Sequence, residues 1–554
     1  MDIKRLDETL SVAGQISPDD VIELAKQGIK TLICNRPDGE GGDQPGFQEI
    51  ARAAQALGIT CHYLPVVSGK VQDAEAEQFG QLLEAAEGQV LAYCRSGMRS
   101  TSLWALYEGR RKPVADIASA ARRAGYDMSG IAARISGQAA GSAEQLASYD
   151  VLIVGGGAAG IATAASLRKR DEYLSIGIID PADVHYYQPG WTLVGAGVFK
   201  PQETARTLAS LIPRGVDWIK AAVAAFDPER NVVVLEGCRL IGYRRLVVAP
   251  GLKLNWEGVE GLTETLGQNG VTSNYRFDLA PYTWQLVQNL QSGRALFTQP
   301  PMPIKCAGAP QKAMYLSADY WLRQGRLANI DIGFYNAGAV LFGVPDYVPA
   351  LMQYVEKYDA KLNFNHRLVR IDGPGRKAWF EAPAGEGEVQ TVEREFDMIH
   401  VVPPQVAPDF IRASTLADAA GWVDVDQNTL RHKQFDNIWS LGDVTNAPNA
   451  KTAAAARKQA PVVANNIMAD MGRGGVAHYD GYGSCPLTVE RGKIVLAEFG
   501  YGGKLLPSFP RWILDGTRPT RMAWLMKEKI LPPLYWQGML RGREWLAQPV
   551  IGED

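Results

Sequence analysis

A glycine-rich turn between a strand and a helix most constrains the fold of this chain. The apolar stretch 150–154 predicts a strand, which runs into a turn over 155–160 and a helix over 161–168. A second predicted strand, 175–179, ends in Asp180, 20 residues after Gly160. Glycines let the backbone approach a pyrophosphate at the helix N-terminus, and the acid can bind a ribose hydroxyl. The pattern predicts a dinucleotide site formed by Gly155, Gly157, Ala158, Ala159, Gly160 and Asp180.

Length and composition indicate a multidomain globular protein. The 554 residues correspond to about three or four domains of roughly 100 to 200 residues each. The apolar share of 46% supports a large core, and the net charge of −3 gives no basic field for nucleic acid. The six cysteines contain no Cys-x-x-Cys pair, so neither a disulfide scaffold nor a metal site is predicted. The charged amino terminus lacks an apolar signal segment, and the expected compartment is the cytoplasm.

A cysteine-centred loop lies in the first 110 residues, where predicted strands and helices alternate. It runs over 93–100, between a strand and a helix predicted at 101–108. A cysteine at a helix N-terminus, among backbone N–H groups and two arginines, is typical of a thiolate that acts on anions. We therefore predict Cys94, Arg95 and Arg99 as catalytic residues.

This loop resembles the signature of the cysteine phosphatases, and residues 1–110 resemble their compact bacterial branch. Phosphatases have five residues between cysteine and arginine, whereas Cys94 and Arg99 are separated by four, as in the sulfurtransferase (rhodanese) loop. A phosphatase also needs a general acid, and Asp38 is the only loose candidate. The resemblance favours sulfur transfer and leaves phosphatase activity open.

Three later segments resemble the two-dinucleotide-binding flavoproteins. They are a strand and turn over 246–251, a strand over 437–443 that ends in Gly-Asp, and a helix that opens at Lys451. In that superfamily the acid of the Gly-Asp pair holds the ribityl chain of FAD, and the following helix directs its positive end at the flavin. The resemblance implies FAD as the cofactor, bound by Gly251, Gly442, Asp443, Lys451 and Thr452.

The second glycine loop of NAD(P)H-dependent flavoproteins is replaced here. The matching strand, 295–299, is followed by the proline-rich stretch 300–310, which includes Cys306. Proline has no N–H group, so such a loop cradles a pyrophosphate poorly. A cysteine takes the place of the nicotinamide site, which argues against NAD(P)H as the reductant.

Residues 149–554 resemble the sulfide:quinone oxidoreductases, especially the mitochondrial type and its bacterial relatives. The segments that carry the resemblance are 185–197, which includes Gln188, 305–312, 419–425 and 479–486. The resemblance implies FAD, with Gln188 in its site, and a membrane quinone as the electron acceptor. It also implies that Cys306 is one of two flavin-side cysteines whose disulfide or trisulfide is opened by sulfide.

The second flavin-side cysteine is missing from the position that the resemblance implies. That position directly follows Gly442-Asp443, where this chain has Val444. The other cysteines outside the two loops are interpreted as structural: Cys34, Cys61, Cys238 and Cys485. The sequence therefore predicts a cycle that runs on Cys306 alone or borrows another sulfur.

The carboxy-terminal residues 505–554 differ from the rest of the chain. Basic residues outnumber acidic ones there, and Trp512, Trp524, Trp536 and Trp545 lie among leucines and isoleucines. This composition is typical of helices that lie in a membrane interface, and the resemblance supports that interpretation. A helical hairpin packed on the body is the alternative.

The fold prediction is α/β: an amino-terminal cysteine-phosphatase-like domain, tandem Rossmann-like two-dinucleotide-binding flavoprotein domains, and a C-terminal amphipathic helical tail. The predicted segments are the phosphatase-like or sulfurtransferase-like domain (1–112), a linker (113–148), the first part of the FAD-binding domain (149–280), the second Rossmann-like domain with Cys306 (281–395), the second part of the FAD-binding domain (396–504) and the membrane-interface region (505–554).

The leading functional hypothesis is a flavoenzyme bound peripherally to the inner face of the cytoplasmic membrane. Sulfide or a persulfide is oxidised at Cys306, electrons pass through FAD to a quinone, and the sulfane sulfur goes to Cys94, a low-molecular-weight thiol or sulfite. A homo-oligomer is also left open. The alternatives are a phosphatase or thiol-sensing domain fused to a redox module, and an NAD(P)H-dependent persulfide or disulfide reductase.

Overall fold

The computed structural model describes residues 2–41, 44–112, 114–128, 131, 134–135, 147–236, 239–385 and 387–552. Contacts divide the chain into two compact units, one formed by residues 1–150, 220–244 and 409–415, the other by residues 151–219, 245–408 and 416–554. The predicted linker lies partly outside the described residues, and so does Cys238. The finer domain boundaries stay predictions.

The amino-terminal part of the first unit is a sheet with helices on both faces. Its elements are β1 (Ile3–Arg5), β2 (Leu10–Ala13), α1 (Pro18–Lys26), β3 (Ile29–Cys34), α2 (Phe47–Ala56), β4 (Thr60–Tyr63), α3 (Asp73–Ala85), β5 (Gln89–Tyr93), α4 (Met98–Glu108) and α5 (Val114–Arg123). The strand order is β1-β2-β5-β3-β4, with every neighbour parallel except β1. The carboxyl end of β5, in the middle of this sheet, leads directly into Cys94. In open parallel sheets this edge is where ligands bind.

The glycine-rich turn opens a Rossmann-like layer. Its elements are β6 (Ser148–Val154), α6 (Ala158–Arg170), β7 (Ile176–Ile179), β8 (Val184–Tyr186), α7 (Trp191–Val194), β9 (Ala205–Thr207) and β10 (Val216–Ile219). Strands β6, β7 and β10 are parallel neighbours. Their apolar residues are buried, as expected for parallel strands covered on both faces.

A hairpin follows and belongs mostly to the first unit. Strands β11 (Val223–Asp227), β12 (Val232–Leu235) and β13 (Leu240–Val248) are antiparallel neighbours. In the same unit, Gly69 lies so close to this hairpin that an added Cβ would come within 3.1 Å of Val234. Grouping of the hairpin with the amino-terminal domain was not predicted from sequence.

A second parallel sheet carries the loop of Cys306. Its elements and their connections are β14 (Lys253–Leu254), α8 (Leu262–Thr265), β15 (Val271–Thr272), α9 (Ala280–Asn289), β16 (Gly293–Gln299), α10 (Ala309–Arg323), β17 (Ile330–Asn336), α11 (Val348–Lys357), β18 (Lys361–Phe364), β19 (Arg367–Asp372), β20 (Lys377–Gly385), β21 (Glu388–Glu395), β22 (Met398–His400), β23 (Gln405–Val406) and α12 (Asp409–Arg412). The sheet order is β15-β22-β16-β17-β18, all parallel. Cys306 lies between the carboxyl end of β16 and the start of α10.

The remaining elements complete the flavoprotein-like part. They are β24 (Ile438–Ser440), α13 (Ala453–Asp470), β25 (Ala477–His478), β26 (Gly483–Glu490), β27 (Lys493–Phe499), α14 (Arg521–Leu525), α15 (Leu531–Pro533) and β28 (Val550–Ile551). Strand β24 pairs with β13 in parallel, and β26 and β27 form an antiparallel hairpin that packs on α10. The α/β fold prediction is confirmed. Among the described residues, no helix combines the length and apolar character needed to cross a membrane.

Candidate functional site

The glycine-rich turn has the shape of a dinucleotide cradle. Gly155 has a φ of +107°, and an added Cβ would lie 2.3 Å from the carbonyl oxygen of Ala249. Gly157, the residue before α6, has open space where its Cβ would be. The Asp180 carboxylate lies at the rim, where it accepts a hydrogen bond from the Gly156 N–H at 2.6 Å. A helix N-terminus that faces open space beside an acid fits the predicted pyrophosphate and ribose.

The predicted flavin-side residues lie close to the loop of Cys306. The Cys306 N–H donates to the carbonyl oxygen of Lys451 at 2.8 Å, directly before the N-cap Thr452 of α13. Asp443 is electrostatically coupled to Lys451, Lys305 and Cys306, and burial raises the pKa of its carboxyl. Burial also disfavours the charged form of Lys451, and lowers the pKa of its ammonium to about 8.

The remaining predicted cofactor residues are Gly251, Gly442 and Gln188, and their surroundings are compatible with a bound cofactor. Gly251 has a φ of +75° and open space at its Cβ position, and Gly442 donates its N–H to the Gln459 side chain at 2.8 Å. Gln188 accepts a hydrogen bond from the ammonium of Lys305, the neighbour of Cys306. Residues far apart in the sequence therefore converge beside the dinucleotide turn.

Cys306 is held in a strained and well-anchored conformation. Its φ is +50°, in the left-handed region that non-glycine residues rarely adopt. The Tyr275 hydroxyl lies 2.9 Å from the carbonyl oxygen of Lys305 and 3.2 Å from that of Cys306. Strain of this kind persists where the surroundings fix the backbone, and it concentrates at functional sites.

Cys485 is the thiol partner that the sequence prediction lacked. Its sulfur, on β26, lies 3.9 Å from the sulfur of Cys306. The interpretation of Cys485 as a structural cysteine did not anticipate this contact, and of the two predicted alternatives, Cys306 alone or a borrowed sulfur, the geometry favours the second. Val444 is fully buried and supplies no thiol. The packing of the β26 hairpin on α10, which a short sequence motif does not reveal, brings the two cysteines together.

Two buried lysines accompany the cysteine pair. Lys312, on α10, places its Nζ atom 3.2 Å from the sulfur of Cys306. Lys527 contacts the hydroxyl of Thr488, also on β26, at 3.2 Å. Both lysines are less than 5% exposed. Lys527 is one of the basic residues of the carboxy-terminal region, but it is buried and adds no charge to the surface.

The electrostatics of the pair favour one thiolate. The hydrogen bond from Cys485 and the charge of Lys312 hold the pKa of Cys306 well below its usual range, against the effect of burial. The same hydrogen bond and burial raise the pKa of Cys485. Burial would lower the pKa of Lys312, but its attraction to the two sulfurs outweighs burial and raises it. Burial and the Lys312 charge lower the pKa of Lys527 to about 7.

The Cys94 loop forms a separate site in the first unit. Cys94 is buried, and its sulfur accepts a hydrogen bond from the Gly97 N–H at 3.1 Å. Arg95 is exposed. The Arg99 guanidinium makes two hydrogen bonds to the Glu40 carboxylate, at 2.8 and 2.7 Å. Much of its charge is therefore already compensated.

The sequence offered Asp38 as a loose candidate for the general acid of this loop. Its carboxylate instead accepts the N–H of Phe47 at 2.9 Å, at the start of α2, and its own N–H donates to the Tyr63 hydroxyl at 2.8 Å. The Asp38 carboxylate is therefore engaged in capping α2. Nothing in these contacts directs it at Cys94.

Comparisons with known proteins match two separate parts of the chain. The family model described as "Beta-lactamase hydrolase-like protein, phosphatase-like domain" matches residues 2–110. The model described as "Pyridine nucleotide-disulphide oxidoreductase" matches residues 149–296. The amino-terminal part is also similar to the beta-lactamase hydrolase-like protein of Xylella fastidiosa, at 36% identity over 20% of this chain and 27% of that protein.

The flavoprotein-like part has extensive relatives. The mitochondrial sulfide:quinone oxidoreductase of Dictyostelium discoideum is 41% identical over 405 residues, which cover 72% of this chain and 88% of that protein. The solved structure of the sulfide:quinone oxidoreductase from Aquifex aeolicus has a TM-score of 0.60 over 72% of this chain and 92% of that chain, at 20% identity. That structure supports the fold, and the sequence identity supports the relationship. The chain belongs to the sulfide:quinone oxidoreductase family.

Proposed function

We propose that this protein oxidises sulfide at the Cys306–Cys485 pair and passes the electrons through FAD to a quinone. The observation that carries the proposal is the approach of two thiols to 3.9 Å beside the ammonium of Lys312. Two thiols at this separation can close to a disulfide, whose S–S bond is about 2 Å long, after a small movement. The pair replaces the glycine loop with which NAD(P)H-dependent flavoproteins bind their reductant, which disfavours the NAD(P)H alternative.

The reaction begins with the oxidised pair. Hydrosulfide attacks one sulfur of the disulfide, the S–S bond breaks, and one cysteine carries a persulfide while the other leaves as a thiolate. A thiol acceptor then takes the outer sulfur as its own persulfide and releases the second cysteine thiolate. Loss of two electrons from the two thiolates re-forms the disulfide. The quinone takes up these electrons with two protons.

Lys312 stabilises the thiolate that each cycle releases. Its ammonium lies 3.2 Å from the Cys306 sulfur, which supports Cys306 as the leaving and electron-donating thiolate and Cys485 as the carrier of the persulfide. Lys527, with a pKa of about 7, can hold or release a proton near the pair at neutral pH. This division of roles follows from the charges alone.

FAD, when bound, supplies the two-electron acceptor between the cysteine pair and the quinone. The chain holds it with the turn over 155–160 and Asp180 for the dinucleotide, and with Gly251, Gly442, Asp443 and the Lys451–Thr452 helix start for the flavin end. A Cβ at Gly155 would clash with the backbone of Ala249, so the shape of this turn depends on glycine there. The anchoring of Cys306 to Lys451 fixes the thiol beside the flavin end of this cradle.

The test is anaerobic mixing of the holoenzyme with sulfide, followed by the visible absorbance of FAD. Cys306→Ser and Cys485→Ser should each slow bleaching by at least about 100-fold, because either change removes the disulfide. Cys61→Ser, in a strand of the first unit, is the matched control and should bleach normally. Bleaching of the Cys485→Ser variant at the wild-type rate would contradict the paired mechanism.

The carboxy-terminal region supports peripheral binding to the inner face of the cytoplasmic membrane, where the quinone resides. Several large apolar side chains are exposed there, among them Trp512 (85%), Ile513, Leu525 and Ile530. Arg511, Arg518 and Lys529 are exposed in the same region. Apolar side chains with basic neighbours bind anionic lipid surfaces. Trp524 and Trp536 are buried instead and anchor the region to the body.

Cys94 is proposed as an acceptor of the sulfane sulfur, alongside a low-molecular-weight thiol or sulfite. The Gly97 N–H that points at its sulfur stabilises a thiolate nucleophile. Sulfur transfer needs no general acid, and Asp38 is engaged in capping α2. Mass spectrometry of the Cys94 peptide after turnover with sulfide tests this role, and aryl phosphate hydrolysis that depends on Cys94 would favour the phosphatase alternative.

A further inference from the structure

The Cys94 loop carries a carboxylate from a distant part of the chain. The Ser96 hydroxyl donates a hydrogen bond to Glu236 Oε2 at 3.1 Å, across 140 residues of sequence. Glu236 directly follows β12, in the hairpin that belongs to the same compact unit as Cys94. The flavoprotein sequence therefore contributes a charged group to the loop of the amino-terminal domain.

Glu236 also forms part of the wall of a narrow cavity beside the loop. The other walls include Ser68, Gly69, Arg95, Met98 and Arg99. The Glu236 carboxylate therefore lies beside the two arginines that flank Cys94 in the loop. Its negative charge acts at short range, where the surrounding protein screens charges less than bulk water does.

The charges around the loop do not suit a doubly negative ligand. Glu40 binds both Arg99, at 2.8 and 2.7 Å, and Arg36, at 2.8 Å. Glu236 adds a second negative charge at the loop itself. Arg95 is exposed to solvent, and the two carboxylates offset most of the positive charge of Arg36 and Arg99, which leaves little net positive charge for a dianion. Sites that bind dianions present uncompensated arginines and N–H groups instead.

We propose that Glu236 is a specificity-determining residue that disfavours dianionic sulfur donors such as thiosulfate at Cys94 and favours thiol persulfides, whose S–SH group carries at most one negative charge, as the donor class. This inference rests on the proposed role of Cys94 as a sulfur acceptor. In the step, the Cys94 thiolate attacks the outer sulfur of R–S–SH, the donor S–S bond breaks, and R–S⁻ leaves with the electron pair. Cys94 keeps the transferred sulfur and its proton as a persulfide.

The first test measures charge selection without any sulfur transfer. The full-length holoenzyme is alkylated with anionic iodoacetate or neutral iodoacetamide, and mass spectrometry follows the Cys94 peptide. Glu236→Gln should raise the iodoacetate-to-iodoacetamide rate ratio by about fivefold, the effect of one charge at short range in a hydrated site. Glu229→Gln, on the turn of the same hairpin, should leave the ratio unchanged. An unchanged ratio in Glu236→Gln would overturn the proposal.

The second test measures the donor class. Wild-type Cys94 should gain sulfur from a thiol persulfide faster than from thiosulfate, and Glu236→Gln should speed the thiosulfate reaction by more than about fivefold because the donor is doubly charged. Equal rates from both donors in the wild type would overturn the assignment. If Cys94 gains sulfur from neither donor while the alkylation ratio still responds to Glu236→Gln, the acceptor role fails and charge selection stands.

Discussion

Replacement of Lys312 by methionine should raise the pKa of the Cys306 thiol. The ammonium lies 3.2 Å from the sulfur, and both groups are largely shielded from water. Two unit charges about 4 Å apart interact by about 4 kcal/mol at an effective dielectric constant of about 20, equivalent to about three pKa units. Lys527 compensates for part of this loss, because removal of the Lys312 charge favours its protonation. We therefore expect a rise of about one to three units.

The assay is the rate of Cys306 alkylation by iodoacetamide in the reduced holoenzyme, followed by mass spectrometry across a pH series. Because only the thiolate reacts, the pH at which the alkylation rate reaches half its maximum should move upward in Lys312→Met. Lys312→Arg retains the charge and should keep this pH close to that of the wild type. Lys529→Met, which removes an exposed lysine near Lys527 in the chain, should have no effect. A midpoint in Lys312→Met within about half a unit of the wild type would refute the reasoning.

Three further changes have separate readouts. Gly155→Ala should abolish FAD binding and cost more than about 1 kcal/mol of stability, because the φ of +107° disfavours any side chain. The ratio of flavin to protein absorbance measures the bound FAD. Gly343→Ala, where an added Cβ would meet open space, is the control and should retain FAD. Trp512→Ala should weaken co-sedimentation of the protein with anionic vesicles severalfold. Tyr173→Ala, which removes a side chain that is 88% exposed outside the carboxy-terminal region, should not weaken it. Equal losses of vesicle binding in the two variants would contradict the proposed membrane-binding surface. Arg99→Ala should destabilise the amino-terminal domain by about 2 kcal/mol in thermal unfolding, because it removes two charge-assisted hydrogen bonds to the Glu40 carboxylate and leaves Arg36 as the remaining partner.

Local patterns of the sequence were sufficient to predict the dinucleotide site and the Cys94 loop. In both, the chemistry depends on residues within one turn between a strand and a helix, so spacing and residue type specify the geometry. The α/β fold follows from the same alternation of apolar strands and helices. The resemblance to the sulfide:quinone oxidoreductases added the cofactor, the acceptor and Cys306, but the position that it implies for the second cysteine holds Val444 in this chain.

The sequence by itself therefore determined the fold class, and it predicted the cradle residues such as Gly155 and one candidate reactive cysteine in each of two loops. Only the tertiary structure decided which other groups lie next to those cysteines. Cys306 lies beside Cys485, 179 residues later in the sequence, and the Cys94 loop contacts Glu236, 140 residues after Ser96. Both contacts form because hairpins pack against helices and loops that are far from them in the chain. Such contacts depend on how whole elements bury their apolar faces, which no short motif encodes.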